Sequence, residues 1–148
     1  MKVYFDVCCL NRPFDDQSQD KIHLEAEAII TILKHIDTGE WSSVSSDTVV
    51  YEINNTKDEE RKDRLLAIND RAQTYISIND EILKRTVEIK EMKFTTYDAM
   101  HIACAETAEV DIFLSTDKGL INKAKTNKSA LRVNIDNPLS WIQEEFKA

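Results

Sequence analysis

Four carboxylates stand out by where they fall in the chain: Asp6, Glu52, Asp98 and Asp117. Asp6 directly follows the apolar run Lys2–Phe5. Glu52 lies under two turns into a helical stretch that follows a second strand-like segment. Asp98 lies in the first turn of an unusually apolar helical stretch, and Asp117 follows the run Ile112–Ser115. Each is therefore at the carboxyl end of a strand or in the N-terminal part of a helix. In a parallel sheet such positions share one edge, beyond which ligands bind. Carboxylates a few ångströms apart raise one another's pKa, and burial raises it further. Either some of them protonate or a cation enters. Hard oxygen ligands suit Mg²⁺ or Mn²⁺. Such an ion polarises a phosphoryl oxygen and lowers the pKa of a bound water; two ions about 4 Å apart stabilise both attacking and leaving oxygens. That chemistry is phosphodiester hydrolysis, and it needs neither histidine nor cysteine.

Each acid alone has a plainer role. Asp6 can cap the chain's exit from a strand, and Glu52 can be a solvated helix residue. Asp98 completes the capping-box pattern Thr-x-x-Asp with Thr95. Asp117 can cap a helix beginning at Lys118. The functional reading rests on the set.

The elements that must position these acids follow from periodicity. Lys2–Phe5 reads as a buried strand and Asn11–Gln19, polar and containing Pro13, as a loop. Ile22, Ala26, Ile29, Leu33 and Ile36 recur at helical spacing, with Gly39 as the C-terminal stop. Trp41–Ser45 is a second strand, after which Ser46 or Asp47 caps a helix carrying Val49, Val50 and Ile53. Asp58–Gln73 is a charged helix, with Asp58–Lys62 and Glu60–Arg64 as i,i+4 pairs. Thr74–Ile78 reads as a strand, and Asn79 caps a helix running to about Met92. Thr95–Val110 is a buried helix, Ile112–Ser115 a strand, Lys118–Lys125 a helix and Leu131–Ile135 a last strand. Pro138 opens a short amphipathic helix with Leu139, Trp141, Ile142 and Phe146. Strands alternating with helices imply an α/β fold with a parallel sheet covered on both faces.

Composition narrows the function. The 148 residues are one domain's worth, 1–148, with 137–148 as a short C-terminal helix packed on it. The two glycines, Gly39 and Gly119, are too far apart for GxGxxG, the P-loop or the GxSxG elbow. The histidines, His23, His35 and His101, exclude HExxH, and Cys8, Cys9 and Cys104 form no CxxC. A net charge of −8 argues against binding nucleic acid by a broad basic surface. It does not exclude an enzyme whose site charge is offset by metal. No apolar run approaches the roughly 20 residues of a membrane span. The N-terminus lacks a signal-peptide pattern, and the odd cysteine count does not suggest a disulfide framework. The expectation is a cytoplasmic protein with no membrane partner.

In order, the strand ending in Asp6, Glu52 within Val49-Val50-Tyr51-Glu52-Ile53, Tyr97-Asp98-Ala99-Met100-His101-Ile102-Ala103-Cys104-Ala105 and Leu114-Ser115-Thr116-Asp117-Lys118 resemble the PIN-domain nuclease family. The most specific piece is Asp98-Ala99-x-x-Ile102-Ala103-x-Ala105 followed by Ser115-Thr116-Asp117. The resemblance covers nearly the whole chain. It implies a three-layer α/β/α sandwich with a parallel sheet of about five strands. It also implies Mg²⁺- or Mn²⁺-dependent cleavage of RNA, usually single-stranded. Many small members are VapC-like toxins of toxin–antitoxin pairs, and many form homodimers, so an antitoxin and a second copy are implied partners. By position, Asp6, Glu52, Asp98 and Asp117 would be the acidic quartet. Asp6, Asp98 and Asp117 would ligate metal directly or through water, and Glu52 would bind the ion or position the attacking water.

The chain departs from the family at two places. Small toxins usually carry Asn, Ser or Thr two residues after the first Asp; here it is Cys8, a weak donor. Asn11 or Thr116 is then expected to supply the missing hydrogen bond. The loop Asn11–Asp16 is longer and more acidic than the resemblance implies, and Arg12 is expected to pair with Asp15 or Asp16 rather than to meet a phosphate. His101, one helical turn after Asp98, reads more readily as a hydrogen-bonded core residue than as a substrate ligand. Lys118, Lys123 and Lys125 are either a small basic patch or a solvated helix face.

Rival chemistries fit less well. Haloacid-dehalogenase-type phosphatases need a second Asp where Cys8 stands, and receiver domains need an acidic pair at the end of the first strand. The alternative from another class is a catalytically silent PIN-like module that binds a partner. Retention of all four acids speaks against it.

Overall fold

The computed structural model describes residues 1–147. Its centre is a parallel sheet of five strands: β1 (Lys2–Phe5), β2 (Ser42–Ser46), β3 (Thr74–Ile76), β4 (Ile112–Leu114) and β5 (Ile135–Asp136). The spatial order is β3-β2-β1-β4-β5, and every neighbouring pair is parallel. Among the described residues eight α-helices flank it: α1 (Val7–Asn11), α2 (Asp20–Asp37), α3 (Asp47–Asn54), α4 (Glu59–Asn69), α5 (Asp80–Lys90), α6 (Thr96–Thr107), α7 (Lys118–Thr126) and α8 (Pro138–Glu145). This is the expected α/β/α sandwich.

Strand alternation assigns the two faces. Tyr4 and Phe5 are successive residues of β1 and point to opposite sides. Phe5 lines a small cavity with Leu10, with Leu33 of α2 and with Ile68 of α4. Tyr4 meets His101 of α6 on the other side. Both aromatics are buried, and Tyr4 stacks on Phe113 of the neighbouring strand at 5.1 Å between centroids. Side chains that must fill both faces explain why β1 and β4 read as continuous apolar runs.

Caps fix most helix starts. Ser46, Asp58, Asn79, Thr95, Asp117 and Asn137 each accept a backbone N–H in the first turn of the following helix. Of the two cap candidates for α3, Ser46 is the cap. Gly39 ends α2 with φ +81°, a conformation glycine adopts without steric cost.

Most boundaries shift by one to three residues, and three segments differ more in kind or extent. The segment Asn11–Gln19 is not all loop: α1, unassigned from the sequence, runs from Val7 to Asn11, and a 3₁₀ turn covers Arg12–Phe14. It is held by chemistry remote in sequence. Arg12 pairs with Glu25 (2.9 Å) and Asp15 (3.1 Å), as Arg61 does with Asp15 (3.1 Å) and with the Phe14 carbonyl (2.6 Å). The strand expected over 131–135 shrinks to β5, because only Asn134 and Asp136 offer carbonyls to β4, receiving Phe113 and Ser115 N–H. The charged helix ends at Asn69, four residues before Gln73, whose side chain instead caps the edge of β2 by accepting the Ser43 N–H.

Candidate metal centre

The strand order reverses at β1: β2 lies on one side and β4, reached by a long crossover, on the other. Ligands of open α/β sheets bind at such a switch point, beyond the carboxyl ends. Asp6 leaves β1 there, and its N–H is bound by the Leu114 carbonyl of β4 at 2.9 Å. Asp117 begins α7 three residues after β4. Asp98 lies in the first turn of α6, whereas Glu52 is the sixth of the eight residues of α3 and reaches the site through its side chain, which comes within 4.8 Å of Asp6.

The acids are interlocked by hydroxyls. Ser115 Oγ donates to Asp6 Oδ2 at 2.8 Å and accepts the Asp117 N–H at 3.0 Å. One side chain thus ties the carboxylate of one acid to the backbone of another. Asp117 Oδ1 accepts the Leu120 N–H at 3.1 Å, so this acid is a helix cap. Thr95 Oγ1 accepts the Asp98 N–H at 3.2 Å, half of the capping box expected from the sequence.

Electrostatics tie Asp98 to the others. Its pKa is raised, first by burial, then by repulsion from Asp6 and more weakly from Asp117, against the opposing effects of Thr95 and His101. Mutual repulsion of this kind is what a cluster of like charges produces. Asp6 is buried, Asp98 half-buried and Asp117 exposed, so the group grades from interior to solvent.

Glu52 is held differently. Its Oε1 lies 2.7 Å from His101 Nε2, and the imidazole is fully buried. One candidate ligand atom from each of Asp6, Glu52 and His101 lies within 4.8 Å of the others. Carboxylate oxygens at this spacing suit a hard divalent cation. His101 fits that role poorly, because its Nε2 is already engaged by Glu52 Oε1 and its Nδ1 by Tyr4 Oη, both at 2.7 Å. The residues present fit a metal held by the acids.

Of the four acids read from the sequence, Asp6 and Glu52 meet within ligand distance, together with His101, while Asp98 and Asp117 are not in that group; the groups that hold the acids were not read from the sequence. Neither Asn11 nor the Thr116 side chain supports Asp6. Asn11 bonds the Val7 carbonyl and Arg61, and the Thr116 N–H goes to Cys8 Sγ at 3.3 Å. Ser115, the first residue of the Ser-Thr-Asp run, is the donor. Its position two residues before Asp117 was the available signal. Tyr4 and Ser46, read as a core residue and a cap, also belong here. Lys123 is spent on the Lys93 carbonyl and the Phe94 ring, and Lys125 lines a cavity of about 540 Å³ with Met1 and Asp111, at the amino end of the sheet. Beside the acids, Tyr51 and Tyr97 stack at 5.6 Å with an interplanar angle of 23°, both exposed.

Comparison with known proteins bears on the fold and the family. Among solved structures, the chain is similar to the crystal structure of VapBC2 from Rickettsia felis bound to a DNA fragment from their promoter. The TM-score is 0.58 at 12% identity, covering 93% of this chain and 98% of that one. It is similar too to the crystal structure of PAE2754 from Pyrobaculum aerophilum, with TM-score 0.57 and 17% identity over 98% of this chain and 88% of that one. At such identities the likeness shows the fold. No curated protein sequence matches. The family profile described as PIN domain matches residues 3–126, spanning the strand before Asp6 through the helix after Asp117, and the chain belongs to the PIN-domain family.

Proposed function

We propose that the protein is a Mg²⁺- or Mn²⁺-dependent endoribonuclease that hydrolyses phosphodiester bonds of single-stranded RNA. The observation that carries the reading is that candidate ligand oxygens of Asp6 and Glu52 lie within 4.8 Å of one another at the switch point of the sheet, with Asp98 near enough for Asp6 and Asp117 to raise its carboxyl pKa. A divalent cation would offset that charge. Asp6, Asp98 and Asp117 would hold it, with Glu52 as a further ligand or as the group that orients the attacking water. When bound, the ion would polarise a phosphoryl oxygen and lower the pKa of a water. The chain's own groups keep the acids in place: Ser115 fixes Asp6, and the α7 cap fixes Asp117.

Single-stranded substrate is supported by the exposed Tyr51–Tyr97 stack, since bases of an unpaired strand stack on aromatic faces. The toxin role rests on family membership and on a VapBC2 assembly being among the similar folds. The proposed partners are accordingly RNA, an antitoxin and a second copy of the chain. No described helix is long and apolar enough to cross a membrane.

The test is cleavage of single-stranded RNA by purified protein with Mn²⁺ or Mg²⁺, compared with Asp6→Asn and Asp98→Asn. Both variants are expected to melt cooperatively and to lose cleavage. Metal at 100 times its Kd is expected to stabilise the wild type by about 2.7 kcal/mol and neither variant. Equal cleavage by all three proteins overturns the site; no metal shift in the wild type favours the silent binding module. Expression alone in a bacterium tests the toxin role, with growth arrest expected and normal growth counting against it.

A further inference from the structure

Behind Glu52 runs a line of buried hydrogen bonds that neither the family match nor the acid cluster calls for. His101 Nε2 lies 2.7 Å from Glu52 Oε1, and His101 Nδ1 lies 2.7 Å from Tyr4 Oη. Tyr4 Oη lies 2.7 Å from Ser46 Oγ, which accepts the Val49 N–H at 3.2 Å. Tyr4, Ser46 and His101 are all fully buried.

The donors and acceptors assign themselves. An ionised carboxylate only accepts, so Nε2 carries the proton. In the neutral ring Nδ1 then accepts, and Tyr4 O–H is its donor. That leaves Tyr4 Oη to accept from Ser46, whose oxygen already accepts from the backbone of α3. The direction is the same at every link, from the Val49 amide to Glu52, and each donor has one acceptor. Tyr4, Ser46 and His101 are sealed from solvent, so the tautomer of His101 is set by these partners rather than by water.

We infer that His101, oriented by Tyr4 and Ser46, is a positioning residue that holds Glu52 by one oxygen and aims the other at the ion bound by Asp6. This rests on the proposed nuclease reading and adds residues to it. It also separates two roles the geometry would otherwise confuse. A histidine ligand would have to surrender the Nε2 proton and the bond to Glu52; a positioning histidine keeps both. Hydrogen-bonded support of a ligating carboxylate is the kind of contact whose loss costs about 10- to 100-fold in metal affinity.

The experiment measures Mn²⁺ affinity by calorimetry on the whole chain, beside ¹⁵N spectra of histidine in the metal-free protein. Wild type is expected to show His101 with Nε2 protonated and Nδ1 bare. His101→Leu should weaken Mn²⁺ binding about 10- to 100-fold. His101→Gln, which retains an amide donor near the Nε2 position, should keep affinity within about fivefold, since it restores the single bond Glu52 needs. Tyr4→Phe, which keeps the ring in the core, should weaken binding less than His101→Leu and shift the tautomer signal. Should His101→Leu fail to fold, the Tyr4→Phe and His101→Gln affinities and the ¹⁵N tautomer still decide. Equal weakening by Gln and Leu makes His101 a direct ligand and overturns the positioning role. So does unchanged affinity in both Tyr4→Phe and a folded His101→Leu, or a wild-type spectrum with Nδ1 protonated and Nε2 bare. A wild type that takes up no Mn²⁺ overturns the nuclease reading itself, an outcome distinct from the other three.

Discussion

Ser115 Oγ lies 2.8 Å from Asp6 Oδ2, across the boundary between the first and fourth strands and 109 residues apart in sequence. The same oxygen accepts the Asp117 amide, and Cys8 Sγ approaches it at 3.5 Å. The hydroxyl is buried, and Asp6 is almost so. Ser115→Ala would strip a buried carboxylate of its neutral donor and orphan an amide. A lost partner for a charged acceptor costs about 1–3 kcal/mol. We expect destabilisation of that order by urea unfolding, together with weaker Mn²⁺ binding. Ser115→Thr, which keeps the hydroxyl, should recover metal binding; recovery in neither property would show that the hydroxyl holds nothing.

Asp98 gives stability a pH dependence of unusual sign for a carboxylate. Its folded pKa is raised by burial and by Asp6 and Asp117. A group raised in the folded state contributes stability that is fully present below its unfolded pKa and is lost as pH rises through its folded pKa. The window therefore opens at the ordinary aspartate value, about 3.9, and extends upward. In metal-free protein, Asp98→Asn should gain on the wild type across that window and hold its advantage at neutral pH. Saturating Mn²⁺ should reverse the order. Thermal melts with chelator at pH 4 and pH 7 measure the difference; a gap that stays constant or narrows with pH contradicts the raised pKa.

Asp6 and Asp117 stood out as candidates because they follow apolar strands, and Asp98 because it opens an apolar helix; Glu52, inside α3, was marked only by its place in the set. The groups that lock them did not stand out. Ser115 looks like any small residue at a strand end, and only the parallel register of β1 with β4, Phe5 opposite Leu114, brings it to Asp6. Tyr4 reads as a core aromatic, which it is; its hydroxyl matters because α6 packs His101 on that face. His101 was read as a satisfied core histidine, and it is both satisfied and in contact with an acid of the site. The short β5 was overread because Leu131 and Val133 are apolar while packing only partly against the core. Contacts between distant segments set all of these, and no local pattern encodes them.

Glu25 illustrates a charge whose purpose is architectural. It is 1% exposed, pairs with Arg12 at 2.9 Å and accepts the Asn137 side chain at 2.5 Å. It thereby joins the segment after α1 to the start of α8. Breaking a buried pair costs about 3–5 kcal/mol, and Arg12 keeps Asp15 and some solvent, so Glu25→Ala should fall near the low end. At about 2–4 °C per kcal/mol for a chain of this size, melting should drop by roughly 6–12 °C. Glu25 touches none of the four acids, so cleavage at a temperature where the variant is folded should persist. A drop under about 2 °C would mean that the pair offsets its own desolvation almost fully.

Gly119 sets stability and activity against each other at one position. It lies in the first turn of α7, where a Cβ would stand 3.3 Å from Asp117 Oδ1, tighter than ordinary contact. Alanine is favoured over glycine within a helix by about 1 kcal/mol. Gly119→Ala should therefore leave the melting temperature unchanged or raise it slightly. The same methyl crowds the oxygen that accepts the Leu120 N–H, and the carboxylate must turn to relieve it. A turned Asp117 presents its second oxygen at a different angle to any ion shared with Asp6 and Asp98. Mn²⁺ affinity and RNA cleavage should fall together, by about tenfold for a shift worth 1.4 kcal/mol. A variant as stable as the wild type and equally active would show that Asp117 has slack in the site, and would remove it from the set of close ligands.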